Sequence, residues 1–228
     1  MKTLVIIPAY NEGENIERVV DRLITDYPQY DYLVVNDGSA DNTADICKQK
    51  GYNFVSHPVN LGLAGAFRTG MLYAYRNDYD CAIQFDGDGQ HDPVYIESMI
   101  KEVEAGNDIV IGSRFVTEKK PVTMRMIGNN LIEFCILITT GKKIKDPTSG
   151  MRMFSRKMIK KLAFAVDLGP EPDTVALLYR KGAKVKEIQV RISERIAGKS
   201  YLTAAKSINY MARMVISILF LQWFRRGN

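Results

Sequence analysis

The sequence predicts an α/β domain with a mostly parallel central sheet flanked by helices. Two observations predict it. Short apolar runs alternate with stretches of helical periodicity through the first half of the chain. Four polar motifs, PAYNE, NDGS, DGDGQHD and GSRF, each follow directly on one of those runs. Parallel sheets bind ligands outside the carboxyl ends of their strands, so four motifs in that position point to one rim.

The elements follow in order. Residues 4–7 form an apolar run stopped by Pro8, as in a buried parallel strand. Ile16, Val19, Val20 and Leu23 recur at helical spacing across residues 15–24. Residues 32–35 give a second strand that ends in NDGSADNT, and residues 43–50 a helix closed by Gly51. A third strand is expected at 53–56, a helix at 63–75, a strand at 81–85, a helix at 93–105 ended by Gly106, and a strand at 108–112. The second half differs. Residues 126–139 are apolar except for Asn129, Asn130 and Glu133, and KKIKDPTSGMRMF reads as a loop. A helix starts near Arg156 and another spans 174–181 after GPEPD. A half-exposed strand covers 185–192, and a helix with the apolar end MVISILFLQWF spans 201–224.

The 228 residues suit one large domain or one domain with a small appendage. The formal net charge of +5 fits an anionic ligand or an anionic membrane surface. No run of five or six basic residues occurs, so nucleic acid is not an expected partner. Cys47, Cys81 and Cys135 stand far apart with no CxxC spacing, as small buried residues do in a reducing compartment. No segment holds eighteen uninterrupted apolar residues, so no membrane span is expected.

The densest feature is IQFDGDGQHDP at 83–93. Asp86, Asp88 and Asp92 lie within seven positions, where like charges repel and disfavour one another's ionised form. A cation should offset them. His91 fits a structural hydrogen bond at least as well as a ligand role. Asp92, just before Pro93, suits the start of the next helix.

Taken in order, PAYNE (8–12), NDGSADNT (36–43), NLGLAGAFRTG (60–70), DGDGQHDP (86–93), GSRF (112–115), DPTSGMRMF (146–154) and RIAGKS (195–200) resemble the family 2 inverting glycosyltransferases of GT-A fold. They resemble more closely the dolichyl-phosphate mannose synthase-like branch, which glycosylates polyprenyl phosphates. The resemblance runs from Leu4 to about Ser200, so residues 1–200 are expected to be the GT-A catalytic domain. Residues 201–228 are expected to be a C-terminal amphipathic helix that contacts a membrane or a partner. Two departures stand out. The family often has two aspartates before GS, and here the first is Asn36. Many members also continue into membrane spans, whereas this chain reaches Asn228 without one. A separate small membrane-spanning subunit could take that place; alternatively the apolar helices could pack into the core or into the interface of a homo-oligomer.

The resemblance implies a nucleotide-sugar donor held by Pro8, Tyr10, Glu12, Asp37, Gly62, Arg68, Asp86 and Asp88, with Mg²⁺ or Mn²⁺, which suit oxygen ligands, contacting Asp86, Asp88 and Gln90. Pro8 and Tyr10 offer an apolar wall to a base, and the carboxylates accept from base N–H groups or ribose hydroxyls. Asp41 and Thr43 suit helix capping better. Arg114, Arg125, Asn129, Arg195 and Lys199 are the implied contacts of an acceptor phosphate, since the planar fork of arginine matches phosphate oxygens. Asp88, Arg114, Arg125 and Arg195 are the implied catalytic set. A lipid monophosphate, with a second pKa of about 6, is already anionic near neutrality and needs no general base. Glu171 and Asp173 of GPEPD would then hold sugar hydroxyls, or act as a base if the acceptor is a hydroxyl. The expected function is metal-dependent transfer of one sugar to an undecaprenyl- or dolichyl-type phosphate, by a peripheral enzyme on the cytoplasmic face of a membrane. Transfer to a saccharide hydroxyl and a non-catalytic nucleotide-sugar-binding subunit are the alternatives.

Overall fold

A computed structural model describes residues 1–192 and 204–225. A seven-stranded sheet forms from β1 (Thr3–Ala9), β2 (Asp31–Asn36), β3 (Phe54–Ser56), β4 (Cys81–Gln84), β5 (Ile109–Ser113), β6 (Arg152–Ser155) and β7 (Val185–Gln189), in the order β3-β2-β1-β4-β6-β5-β7. The helices are α1 (Ile16–Asp26), α2 (Thr43–Gln49), α3 (Gly62–Arg76), α4 (Ile96–Glu104), α5 (Met124–Thr140), α6 (Arg156–Phe164), α7 (Pro172–Arg180) and α8 (Ala204–Leu219).

Alternation along the strands builds two cores. Leu4, Ile6, Leu33 and Val35 point to one face, where α3, α5, α6, α7 and α8 cover them with Phe67, Met71, Ile132, Ile159, Leu177 and Ile218. Val5, Ile7 and Val34 point to the other, against Ile16, Val20 and Leu23 of α1 and Ile96, Met99 and Val103 of α4. Burial on both faces explains why these strands read as continuous apolar runs. Cys47, Cys81 and Cys135 are buried, and desolvation pushes the Cys47 and Cys81 thiols up to about 11, which keeps them unreactive near neutrality.

The predicted elements occur among the described residues. The last strand ends at Gln189, and the C-terminal helix runs from Ala204 to Leu219, with residues 201–203 of its expected span lying outside the description. Two further revisions stand out. β1 continues through Pro8 to Ala9. Ile6 offers its carbonyl to Phe85 N–H on the β4 side, so Pro8, two residues on, also faces that side. β4 has already ended there, and the N–H that proline lacks has no strand to meet. The larger revision is β6, whose residues were expected to lie in a loop. It pairs antiparallel with both β4 and β5, through Gln84↔Arg152 and Ile111↔Arg152. This reversal brings the loop preceding β6, DPTSG, to the rim formed by the carboxyl ends of β1, β2, β4, β5 and β7.

Candidate active site

The acidic loop leaves β4 and turns at Gly89, which adopts φ +76, a conformation that favours glycine. Asp88 is 5% exposed, and its Oδ1 accepts the Gln90 N–H at 3.0 Å. Asp86 is more open. His91 is 4% exposed: its Nδ1 accepts the Asp86 N–H at 3.1 Å, its ring packs edge-on against Phe85, and its Nε2 lies 3.6 Å from Asp86 Oδ2. His91 is therefore a structural support of the loop. Asp92 Oδ1 accepts the Val94 N–H at 3.1 Å and starts the helical turn as expected.

Cations face this loop from α1. Arg22 pairs with Asp92 at 2.9 Å, and Arg18 donates to the Asp88 carbonyl at 3.4 Å. Gly150 of the DPTSG loop lies against Asp86. A Cβ there would sit 2.7 Å from Asp86 Oδ2, so a larger residue would have to push that carboxylate aside. A divalent ion would suit this all-oxygen donor set, with Asp86 and Asp88 as the residues that would hold it. Among the described residues no three His, Cys, Asp or Glu side chains gather as a metal cluster, so such an ion would need ligands from elsewhere, as a diphosphate provides.

The first two motifs interlock beside the acidic loop. Asn11 Oδ1 accepts the Ala40 N–H at 2.8 Å, and Asp41 Oδ2 accepts the Gly13 N–H at 2.9 Å. Burial alone would raise the Asp41 pKa, but hydrogen bonds from Thr43 and Gly13 outweigh it and lower it. Asp41 and Thr43 thus bind the two motifs together, and Asn42 takes the N-cap position of α2. Glu12 accepts from Asn15 at 2.8 Å. Pro8 and Tyr10 are half-buried, and Asp37 is buried. Asn36 spends its amide on Ser56 and Ser39, a neutral structural role. Gly62 opens α3 with φ +78, while Arg68 turns toward α6 and donates to the Ala163 carbonyl at 3.3 Å.

A polar network forms where the DPTSG loop meets β5 and α5. Arg114 grips Asp146 with two side-chain bonds, Nε to Oδ2 at 2.7 Å and Nη2 to Oδ1 at 2.8 Å, and its backbone N–H adds a third at 3.0 Å. Asn129 is fully buried. It donates to Asp146 at 3.0 Å and Thr148 at 2.8 Å and accepts from Lys120, so it positions the Arg114–Asp146 pair from beneath. Lys120 also reaches Asn130 and Glu133, tying the segment after GSRF to α5. The backbone of Arg125 lies in the first turn of α5, its side chain falls outside the description, and Arg195 and Lys199 lie outside the described residues. Asp146 and Lys120 carry this network, yet only their contacts reveal it.

Desolvation would raise the Asp146 pKa, but the Arg114 bonds prevail and hold it below its ordinary 3.8. A depressed carboxylate contributes stability that is present above the unfolded pKa and lost as pH falls through the folded one. Asp146→Asn should therefore be less stable than the native chain near neutrality. It should also flatten the acid limb of stability below about pH 4, measured by denaturant melts across that range.

Glu171 and Asp173 do not stand open to the rim. Glu171 accepts from Tyr210 of α8 at 2.6 Å. Asp173, 3% exposed, accepts from Ser217 at 2.5 Å and Arg225 at 2.7 Å. Beneath both loops Arg152 is fully buried and donates to the carbonyls of Pro147 and Pro170.

The sheet order, the acidic loop after β4 and the interlocked loops after β1 and β2 define a GT-A-type glycosyltransferase. The chain belongs to glycosyl transferase family 2, whose model matches residues 4–163. A polyprenol monophosphomannose synthase of Mycolicibacterium smegmatis is 30% identical over 240 residues, covering 100% of this chain and 88% of that protein. An undecaprenyl-phosphate mannosyltransferase of Micrococcus luteus is 29% identical over 222 residues, covering 89% and 88%. Among solved structures, glucosyl-3-phosphoglycerate synthase of Mycobacterium tuberculosis, crystallised with Mn²⁺, UDP and phosphoglyceric acid, matches with a TM-score of 0.69. It is 19% identical and covers 97% of this chain and 78% of that one, a likeness of fold.

Proposed function

We propose that this enzyme transfers one sugar from a nucleotide-sugar donor to a polyprenyl phosphate. The observation that carries the reading is the division of charge along one rim. The acidic loop stands after β4, and the Arg114–Asp146 network stands after β5. A divalent ion held by Asp86 and Asp88, with Gln90 beside it, would neutralise the donor diphosphate and ease departure of the nucleotide. Mg²⁺ and Mn²⁺ both suit the ligands; the Mn²⁺ complex of the M. tuberculosis enzyme supports the class of ion. PAYNE and NDGS would hold the nucleoside.

On the acceptor side, Arg114 is pre-oriented by its carboxylate, and its Nη1 takes no hydrogen bond among the described residues. That donor suits a phosphate oxygen. Arg125, Arg195 and Lys199 remain proposed companions. An anionic phosphate can attack the sugar without a general base, so positioning suffices. The engagement of Glu171 and Asp173 by α8 and Arg225 weakens the hydroxyl-acceptor alternative, which needs an available base.

A lipid acceptor requires contact with a bilayer. No helix among the described residues is long and apolar enough to cross one. Met124, Ile127, Leu131, Phe134 and Ile138 form an exposed apolar row on α5, and Phe220, Trp223 and Phe224 are exposed at the end of the described chain. Apolar faces and aromatic ends of this kind suit a peripheral position at the interface.

The test supplies radiolabelled UDP- and GDP-sugars to the purified chain with vesicles carrying undecaprenyl phosphate and a divalent salt. Label in a lipid that mild acid cleaves is the expected result. Label found only in a water-soluble saccharide would overturn the acceptor.

A further inference from the structure

Asp37 sits in the NDGS turn at the end of β2, and its side chain is only 4% exposed. Two donors converge on one of its oxygens. His57 Nδ1 lies 2.8 Å from Oδ1, and the Leu61 backbone N–H reaches the same oxygen at 2.9 Å. No described residue bonds to Oδ2. The far nitrogen of the ring, His57 Nε2, lies 2.9 Å from Thr69 Oγ1 on α3. An ionised carboxylate only accepts, so Nδ1 carries the proton. In the neutral ring Nε2 then accepts from the Thr69 hydroxyl, and the whole chain is satisfied in one tautomer.

The backbone fixes this arrangement. His57 N–H donates to the Asn36 carbonyl at 2.9 Å, and Asp37 N–H to the Ala9 carbonyl at 2.8 Å. Gly38 adopts φ +65, and a Cβ there would lie 2.5 Å from the Val59 carbonyl carbon. The turn therefore packs directly on the segment that brings Leu61 to Asp37. Asp37 has little freedom to rotate and offer its other oxygen.

We propose that His57 sets the base of the nucleotide donor, acting through Asp37 as a positioning residue. A carboxylate oxygen has two lone-pair sites, and both sites on Oδ1 are filled. Asp37 therefore presents one open oxygen, Oδ2. Uracil offers a single ring N–H, which one oxygen satisfies. Guanine offers a ring N–H and an exocyclic amine side by side, which call for both oxygens of a carboxylate. Guanine's two parallel donors would set one on Oδ2 and aim the other at Oδ1, whose sites are filled, and a donor left without a partner beside a largely buried carboxylate weakens binding. The inferred donor class is a uridine diphosphate sugar. This inference rests on the reading of NDGS as part of the nucleoside site.

Calorimetric titration of the full chain with UDP and with GDP, each with Mg²⁺, tests it. The native chain should bind UDP about tenfold or more tightly than GDP, the scale of one unpaired donor. His57→Ala should weaken UDP and narrow the ratio of the two affinities. His57→Asn, which can still donate to Oδ1, should recover much of the ratio. Melting curves identify which variants are folded. A histidine serving only the fold would lower the melting temperature and leave the ratio unmoved in folded protein, which overturns the proposal. GDP binding as tightly as UDP to the native chain overturns it without any variant. If Asp37→Ala leaves both affinities unchanged, the nucleoside reading of NDGS fails first and the inference falls with it. If Asp37→Ala weakens UDP while His57→Ala does not, only the inference fails.

Discussion

Asp88→Asn is expected to lower sugar transfer about 10³-fold, equivalent to about 4 kcal/mol of lost transition-state stabilisation, with little change in stability. Asparagine has the same shape, and its carbonyl oxygen can still accept the Gln90 N–H that closes the turn. What disappears is a negative charge at a position only 5% exposed, next to the more open Asp86. A neutral amide binds a hard divalent cation far less well than a carboxylate. The ion would then no longer offset charge developing on the leaving diphosphate. Initial rates with saturating donor and acceptor, alongside a thermal melt, separate the two effects. A folded variant that keeps a third of the native rate would remove Asp88 from catalysis.

The first half of the fold is legible because its signals are local. The runs before Pro8 and NDGS are apolar throughout, the run before DGDG is broken only by Gln84, and Ile16, Val19, Val20 and Leu23 mark the buried side of α1 without ambiguity. β6 is not legible. It has four residues, it opens on an arginine, and its antiparallel pairing is a property of the sheet. The acidic loop announces itself through carboxylate density, and Asp92 takes its predicted place at the helix start. The charges that answer it are less visible. Arg18 and Arg22 read as solvent-facing positions of a surface helix, yet they approach Asp88 and Asp92 from seventy residues away in sequence. Asn129 falls in a segment that resemblance assigns to phosphate, but complete burial gives it a supporting part. His57 carries no pattern at all. A lone histidine acquires meaning only when Asp37 and Thr69 are brought to its two nitrogens.

Arg152→Met is expected to destabilise the chain by about 3–5 kcal/mol, the largest stability effect of any single change considered. Arg152 is fully buried, and desolvation lowers its pKa, so its burial is costly. Methionine fills a similar path and removes that cost. Two terms oppose that gain, as is usual when one member of a buried charged network is removed. The guanidinium donates to the Pro147 and Pro170 carbonyls, which then lose a partner inside the protein, each at about 1–3 kcal/mol. The cation also lies among Glu171, Asp146 and Asp173, whose charges favour its ionised form. Without it those carboxylates lose a nearby cation and keep their other partners, Tyr210 for Glu171, Arg114 and Asn129 for Asp146, and Ser217 and Arg225 for Asp173. Arg152→Lys should rescue little, because an ammonium lacks the planar fork that spans two carbonyls on separate loops. For a chain of this length the methionine variant should melt roughly 6–20 °C lower. The same tie joins DPTSG, which carries Asp146 and Gly150, to GPEPD beneath α8. Transfer activity should therefore fall in Arg152→Met even at temperatures where it stays folded, because Gly150 and Asp146 support the two sides of the rim. A melting temperature within a degree or two of the native value would mean that the buried cation and its removal balance, and that the loops hold their places without it.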